Sequence, residues 1–262
     1  MTEFFADAEK DNILKWILHT DPSSLHNRAR DQYEAGTGDW VLRSPKWQAW
    51  LDGKNRCLWI NGIPGSGKTV LVSRLIQELR RISKNLTAPK AVSIYYYCYF
   101  AHSQNEMSPL LRWIIHELCR QGDVIPQSVY AMFKQRHEPS FQDLERGLEE
   151  CVSLFSAIFF AIDALDESQD RPSFLRGIET LATDPRFSKI RLLTTSRDYV
   201  DIERSLESFT INLPLNNDLV EDDIRRYVRA AIAKDHKFNI GRWPQSTLDM
   251  VVNLVPAKAK GM

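Results

Sequence analysis

Apolar and polar positions along the chain alternate between helical and strand-like periods. Near the start, Ile13, Leu14, Trp16, Ile17 and Leu18 recur at helical spacing and predict an amphipathic helix that ends before Asp21-Pro22. A polar segment, 23–34, leads to Gly36-Thr37-Gly38-Asp39-Trp40-Val41-Leu42, and Trp47 and Trp50 fall on a short helix before Asp52-Gly53. Cys57-Leu58-Trp59-Ile60 has the length of a buried strand, and Leu71, Val72, Leu75, Ile76 and Leu79 follow at helical period. Residues 92–100 are rich in β-formers and read as a second strand, followed by helical stretches at 108–119, 127–136 and 141–153. The continuous apolar run 154–162 is the pattern of a central parallel strand covered on both faces. Residues 190–197 and 209–213 supply two further strands. Pro214 and Asn216-Asn217-Asp218 then break the pattern, and the helical periods at 220–233 and 245–254 are too short for a core of their own.

Strands alternating with helices imply an α/β domain, and the candidate chemistry sits at the ends of its strands. Between the first strand and its helix lies Gly62-Ile63-Pro64-Gly65-Ser66-Gly67-Lys68-Thr69, the spacing of a phosphate-binding loop in the strand-to-helix context that loop requires. A helix N-terminus offers unpaired N–H groups and partial positive charge to an anion. Gly65 and Gly67 let the backbone wrap a phosphate chain, and Ile63, Pro64, Ser66 and Val70 complete the cradle. Lys68 places a point charge on β- and γ-phosphates, while the Thr69 hydroxyl belongs in the shell of a Mg²⁺ that keeps most of its waters.

The apolar run 154–162 ends in Asp163-Ala164-Leu165-Asp166-Glu167. Ligands of parallel sheets bind beyond the carboxyl ends of the strands, so Asp163 is expected on the metal, with Asp166 or Glu167 orienting and polarising the attacking water. Thr195 and Arg197 end the next strand within reach of the γ-phosphate, where an arginine senses or stabilises charge. Trp40 and Val41, just upstream of the loop, are candidates for the pocket of the nucleotide base, with core packing as the alternative. His116 reads as a helix-surface residue, and His102, past the second strand, lacks a companion that would make it a catalyst or ligand.

Composition narrows the class. With 262 residues, 43% hydrophobic and 26% charged, the chain suits one large globular domain or two small ones. Lys and Arg (34) balance Asp and Glu (34), which gives no electrostatic drive toward nucleic acid or an anionic membrane, and neither is expected as a partner. Cys57, Cys98, Cys119 and Cys151 show no paired spacing and lie in apolar surroundings, as buried thiols of a cytoplasmic protein do. No apolar run reaches membrane-spanning length.

In order along the chain, the GIPGSGKT loop, the AIDALDE acidic strand, the LLTTSR strand and the trailing DDIRRYV helix resemble the NACHT NTPase domain of signal-transducing, NLR-like proteins of the STAND class. The resemblance extends from about Ile13 to the end. It is nearest the fungal branch with a nephrocystin-like N-terminal module, where a Gly-Thr-Gly-x-Trp segment and a Trp-rich helix precede the loop. It implies a P-loop NTPase three-layer sandwich, with a five-stranded parallel sheet of order 5-1-4-3-2 and an incomplete small helical domain behind it. The corresponding division is 1–35 for the N-terminal helix and linker, 36–214 for the nucleotide-binding domain and 215–262 for the partial helical domain. Ala164 replaces the glycine usual in the family's acidic motif, a mild departure. Relatives carry effector, winged-helix and repeat domains, so the chain reads as a shortened form.

Three functions compete. The first is a nucleotide switch module for innate-immunity, incompatibility or cell-death signalling, with Mg²⁺ and ATP or GTP as cofactors, slow hydrolysis and self-association. A free-standing P-loop enzyme is disfavoured because no substrate-binding insertion is evident between Gln104 and Pro172. A non-hydrolysing fragment that holds nucleotide as a structural ligand is the third.

Overall fold

The computed structural model describes residues 7–86, 90–99, 105–122, 124–216, 218–234 and 243–259. Four helices lead in: α1 (Asp7–Ile17), α2 (Ser23–Asp31), α3 (Asp39–Arg43) and α4 (Pro45–Leu51). Then follow β1 (Cys57–Asn61), α5 (Lys68–Asn85), β2 (Ala91–Tyr97), α6 (Met107–Gln121), α7 (Gln127–Gln135), α8 (Phe141–Ser153) and β3 (Ala157–Asp163). The chain continues through α9 (Arg171–Thr183), β4 (Ile190–Ser196), α10 (Val200–Leu206), β5 (Thr210–Pro214), α11 (Asp218–Lys234) and α12 (Gln245–Ala259). Among the described residues no helix is long and apolar enough to cross a membrane.

The five strands form one parallel sheet in the order β2-β3-β4-β1-β5, which is the expected 5-1-4-3-2 order read from the other edge. Successive strand side chains alternate between two cores, one on each face. Cys57, Trp59, Ile158, Phe160, Ile162 and Leu192 enter the core shared with α1 and α6–α10, while Leu58, Ile60, Phe159, Ala161 and Leu193 enter the one under α3–α5. Burial on both faces explains why β3 reads as unbroken apolar sequence. Trp50 lies 5.0 Å from Trp47 and 5.9 Å from Phe159, ring centre to centre, and all three are buried, so both of these tryptophans are core.

The polar segment 23–34 contains a helix that its composition does not announce. α2 buries little besides His26 and Ala29, and it is held by tertiary contacts. His26 Nδ1 lies 3.0 Å from Tyr97 Oη, its Nε2 lies 3.2 Å from the Gln77 amide nitrogen, and its ring stacks on Tyr95 at 4.4 Å. Burial, reinforced by Arg80 and Arg30, lowers the His26 pKa to about 4. Folding therefore favours the neutral ring: the stabilisation is complete above the unfolded value near 6.5 and is lost as pH falls toward 4. Chemical denaturation at pH 7 and pH 4.5 should show the native chain losing about 2–3 kcal/mol more than a His26→Leu variant; equal losses would contradict this account of α2. His116 is not on the helix surface, since its side chain is only 12% exposed and its ring stacks on Trp113. His102 lies outside the described residues. All four cysteines are free and buried.

Candidate nucleotide site

β1, β3 and β4 end at one edge of the sheet, with Asn61 opposite Ser196 and Ile162 opposite Thr194 in register. The loop 62–67 leaves β1 at that edge and turns into α5 through Gly65 (φ +80°) and Gly67 (φ +79°), a left-handed backbone that glycine adopts without strain. A Cβ on Gly67 would meet no atom within 4 Å, so beside the N-terminus of α5 the loop faces open space of the kind a phosphate chain needs. Gly62 is required for a different reason: a Cβ there would come within 2.9 Å of Ser66 Oγ and 3.1 Å of Leu215 Cβ.

Lys68 folds back over the loop, donating from Nζ to Gly62 O (2.7 Å), Ile63 O (2.9 Å) and Ser66 Oγ (3.3 Å). Burial lowers its pKa, against the pull of Asp166 and Asp163. The Thr69 hydroxyl donates to Asp163 Oδ2 at 2.7 Å and the Thr195 hydroxyl to Asp163 Oδ1 at 2.5 Å, with Asp163 only 3% exposed. Burial raises the Asp163 pKa, which the two hydroxyls and Lys68 oppose. Thr69 and Asp163 thus meet at one point and present hard oxygen donors, the set that suits Mg²⁺ with waters and phosphate oxygens filling the rest of its shell. Among the described residues no group of three or more His, Cys, Asp or Glu could hold a metal without such help.

Asp166 is not free to handle a water. Its Oδ1 accepts the Arg197 backbone N–H at 3.0 Å and its Oδ2 pairs with Arg197 Nε at 3.1 Å, while the side chain is 5% exposed. Arg197 in turn donates to Tyr199 Oη, and Arg171 ties the Asp166 carbonyl to Asp201. These contacts make Asp166 the anchor of Arg197.

Ala164 carries more consequence than its small side chain suggests. It is left-handed (φ +61°, ψ +54°), and its N–H donates to Thr195 Oγ1 at 3.0 Å, so the strained turn links β3 to β4 directly behind Asp163. An Ala164→Gly variant should be more stable by about 0.5–1 kcal/mol, the left-handed penalty of an L-residue less the added chain entropy of glycine. Thermal melting checks this, and a lower melting temperature would contradict it.

The loop borders a cavity of about 640 Å³. Gly65, Gly67 and Val70 form one wall, Tyr33, Thr37 and Trp40 a second, and Asp223, Tyr227 and Lys234 of α11 a third. Trp40 therefore faces the cavity, whereas the Val41 side chain is fully buried in the core and is not among the lining residues. Ile63 and Pro64 stay on the loop outside that lining. Tyr33 carried no motif, and Asp223 entered only as part of the DDIRRYV helix with no role of its own; their contacts across the fold reveal them.

Residues 36–197 match the family described as Nephrocystin 3, N-terminal. The chain is 30% identical over 241 residues to the vegetative incompatibility protein HET-E-1 of Podospora anserina, covering 85% of this chain and 17% of that protein. Among solved structures it is similar to a Walker-type ATPase of Pyrococcus abyssi (TM-score 0.48, 12% identity, 82% of this chain and 63% of that one). It is similar also to the Orc1 protein of Aeropyrum pernix in complex with DNA (TM-score 0.49, 13% identity, 93% and 59%). With a phosphate loop on β1, an acidic end on β3 and this family match over most of its length, the chain belongs to the nephrocystin 3 N-terminal family of NACHT-type P-loop NTPase modules.

Proposed function

We propose that the chain is a Mg²⁺-dependent switch module that binds ATP or GTP, hydrolyses it slowly and self-associates in the triphosphate state. The reading rests above all on the 2.7 Å contact of Thr69 with Asp163 beside a lysine-bearing glycine loop. In this reading Thr69 and Asp163 hold the metal, which supplies charge neutralisation at the β- and γ-phosphates. Lys68 leaves the Gly62 and Ile63 carbonyls for phosphate oxygens, Glu167 polarises water, and Arg197, oriented by Asp166, meets developing charge. Slow turnover is favoured because one of the two acids is already committed to Arg197. Residues 36–214 act as the NTPase domain, with 215–262 as a helical domain and 1–35 as helix and linker.

By its likeness to an incompatibility protein, the module belongs in signalling of the NLR-like type. The buried free thiols suit the cytoplasm, and the zero formal charge is the support for leaving nucleic acid out. Calorimetric titration with ATP, GTP and their diphosphates, with and without Mg²⁺, tests the reading. Saturable binding that Mg²⁺ tightens is expected; no binding of any nucleotide would overturn it.

A further inference from the structure

Outside the matched family range, α11 reaches back across the cavity to the segment Tyr33–Trp40. Asp223 Oδ2 accepts two hydrogen bonds from that segment, from Gly38 N–H at 2.7 Å and from Trp40 Nε1–H at 3.0 Å. The two donors lie 185 and 183 residues away in sequence, so the acid joins distant parts of the chain. Lys234, about three turns further along α11, pairs with Glu34 at 2.5 Å, and Arg226 packs so closely on Gly36 that a Cβ there would come within 2.6 Å of its guanidinium. From the opposite side Arg74 of α5 holds Asp39 (3.1 Å) and the Tyr33 hydroxyl (3.2 Å). Gly38 is left-handed (φ +74°), and a Cβ on it would come within 2.4 Å of Leu71, so the segment crosses α5 closely at a point where only glycine fits. Burial keeps the Asp223 carboxyl above its ordinary pKa, the mark of an acid withdrawn from water to serve these contacts.

We propose that Asp223 is a positioning residue of a base-binding compartment: by pinning Gly38 and Trp40 to α11 it sets the wall against which the nucleoside part of the ligand packs, and so couples α11 to nucleotide occupancy. The proposal rests on the nucleotide reading above and extends it to a residue that touches neither phosphate nor metal. The hydrogen bonds of Asp223 go to Gly38 and Trp40 and none to residues 62–69, so the anion-binding half of the site should work without it. A purine between the Trp40 wall and the α11 wall then favours the docked position of α11, because a ligand shifts an equilibrium by its difference in affinity for the two states.

Inorganic tripolyphosphate and ATP separate the two halves. In the native chain with Mg²⁺, ATP should bind more tightly than tripolyphosphate, the excess being the nucleoside's share. Asp223→Ala should remove at least tenfold of that excess while tripolyphosphate affinity stays within a factor of about two. Asp223→Asn, which keeps an acceptor oxygen for Gly38 and Trp40, should recover most of it and also guards against misfolding of the alanine variant. An unchanged ATP excess in Asp223→Ala, or an equal loss for both ligands in both variants, overturns the proposal. Failure of the native chain to bind tripolyphosphate as well as ATP is the distinct result that removes the nucleotide reading itself.

Discussion

Replacing Glu167 by glutamine is expected to lower nucleotide turnover about a hundredfold or more while leaving triphosphate affinity within a factor of about three. Positioned general bases contribute roughly 10²–10⁴ to such reactions, and glutamine keeps the shape while removing the basic oxygen. Asp166→Asn is the internal control. Both Asp166 oxygens already serve Arg197, so this change should weaken the arginine's anchorage and cost only about tenfold, the worth of ~1.4 kcal/mol of transition-state stabilisation. Single-turnover hydrolysis on both variants separates the roles. If Asp166→Asn were the dead enzyme and Glu167→Gln the mild one, the division of labour drawn from the ion pair would be wrong.

Lys68→Ala should raise the dissociation constant for Mg²⁺-triphosphate by about tenfold to a hundredfold, because a charge-assisted contact is worth roughly 1.5–3 kcal/mol. A second effect follows from the ligand-free geometry. The Lys68 ammonium satisfies the carbonyls of Gly62 and Ile63 and the Ser66 hydroxyl, so the alanine variant also loses the tie that holds the loop curled before ligand arrives. Lys68→Arg should not rescue, since a planar fork cannot replace a compact ammonium at three converging acceptors. Equilibrium titration with a fluorescent triphosphate measures the change, and native-like affinity in a folded Lys68→Ala chain would remove the lysine from the site.

Much of this site is legible in sequence because its chemistry is local. The glycine spacing, Lys68 and Thr69 are fixed by one strand-to-helix turn, and the apolar run before Asp163 identifies a strand buried on both faces and therefore where that aspartate ends up. What sequence leaves open depends on contacts between distant segments. Nothing in the order Asp166-Glu167 says that one of the pair is taken by an arginine 31 residues later. The helical state of 23–31 comes from His26 docking on Tyr95 and Tyr97 rather than from any apolar stripe. Ala164 looks like a mild replacement for glycine until its positive φ is known, and Val41 looks like a neighbour of the base until its side chain is found in the core. Asp223 lies in the DDIRRYV helix, but nothing in that stretch says that its carboxylate meets two N–H groups on the far side of the cavity.

Nucleotide phosphates are expected to occupy the loop at the head of α5, and hydrogen exchange read by mass spectrometry tests this at the residues themselves. On saturation with Mg²⁺-ATP, the amides of residues 62–70 should slow by at least tenfold, together with those at the ends of β3 and β4 around Asp163 and Thr195. Asp163→Ala should reduce that protection. Saturable nucleotide binding that leaves residues 62–70 unprotected, or protects a different surface, would contradict the account.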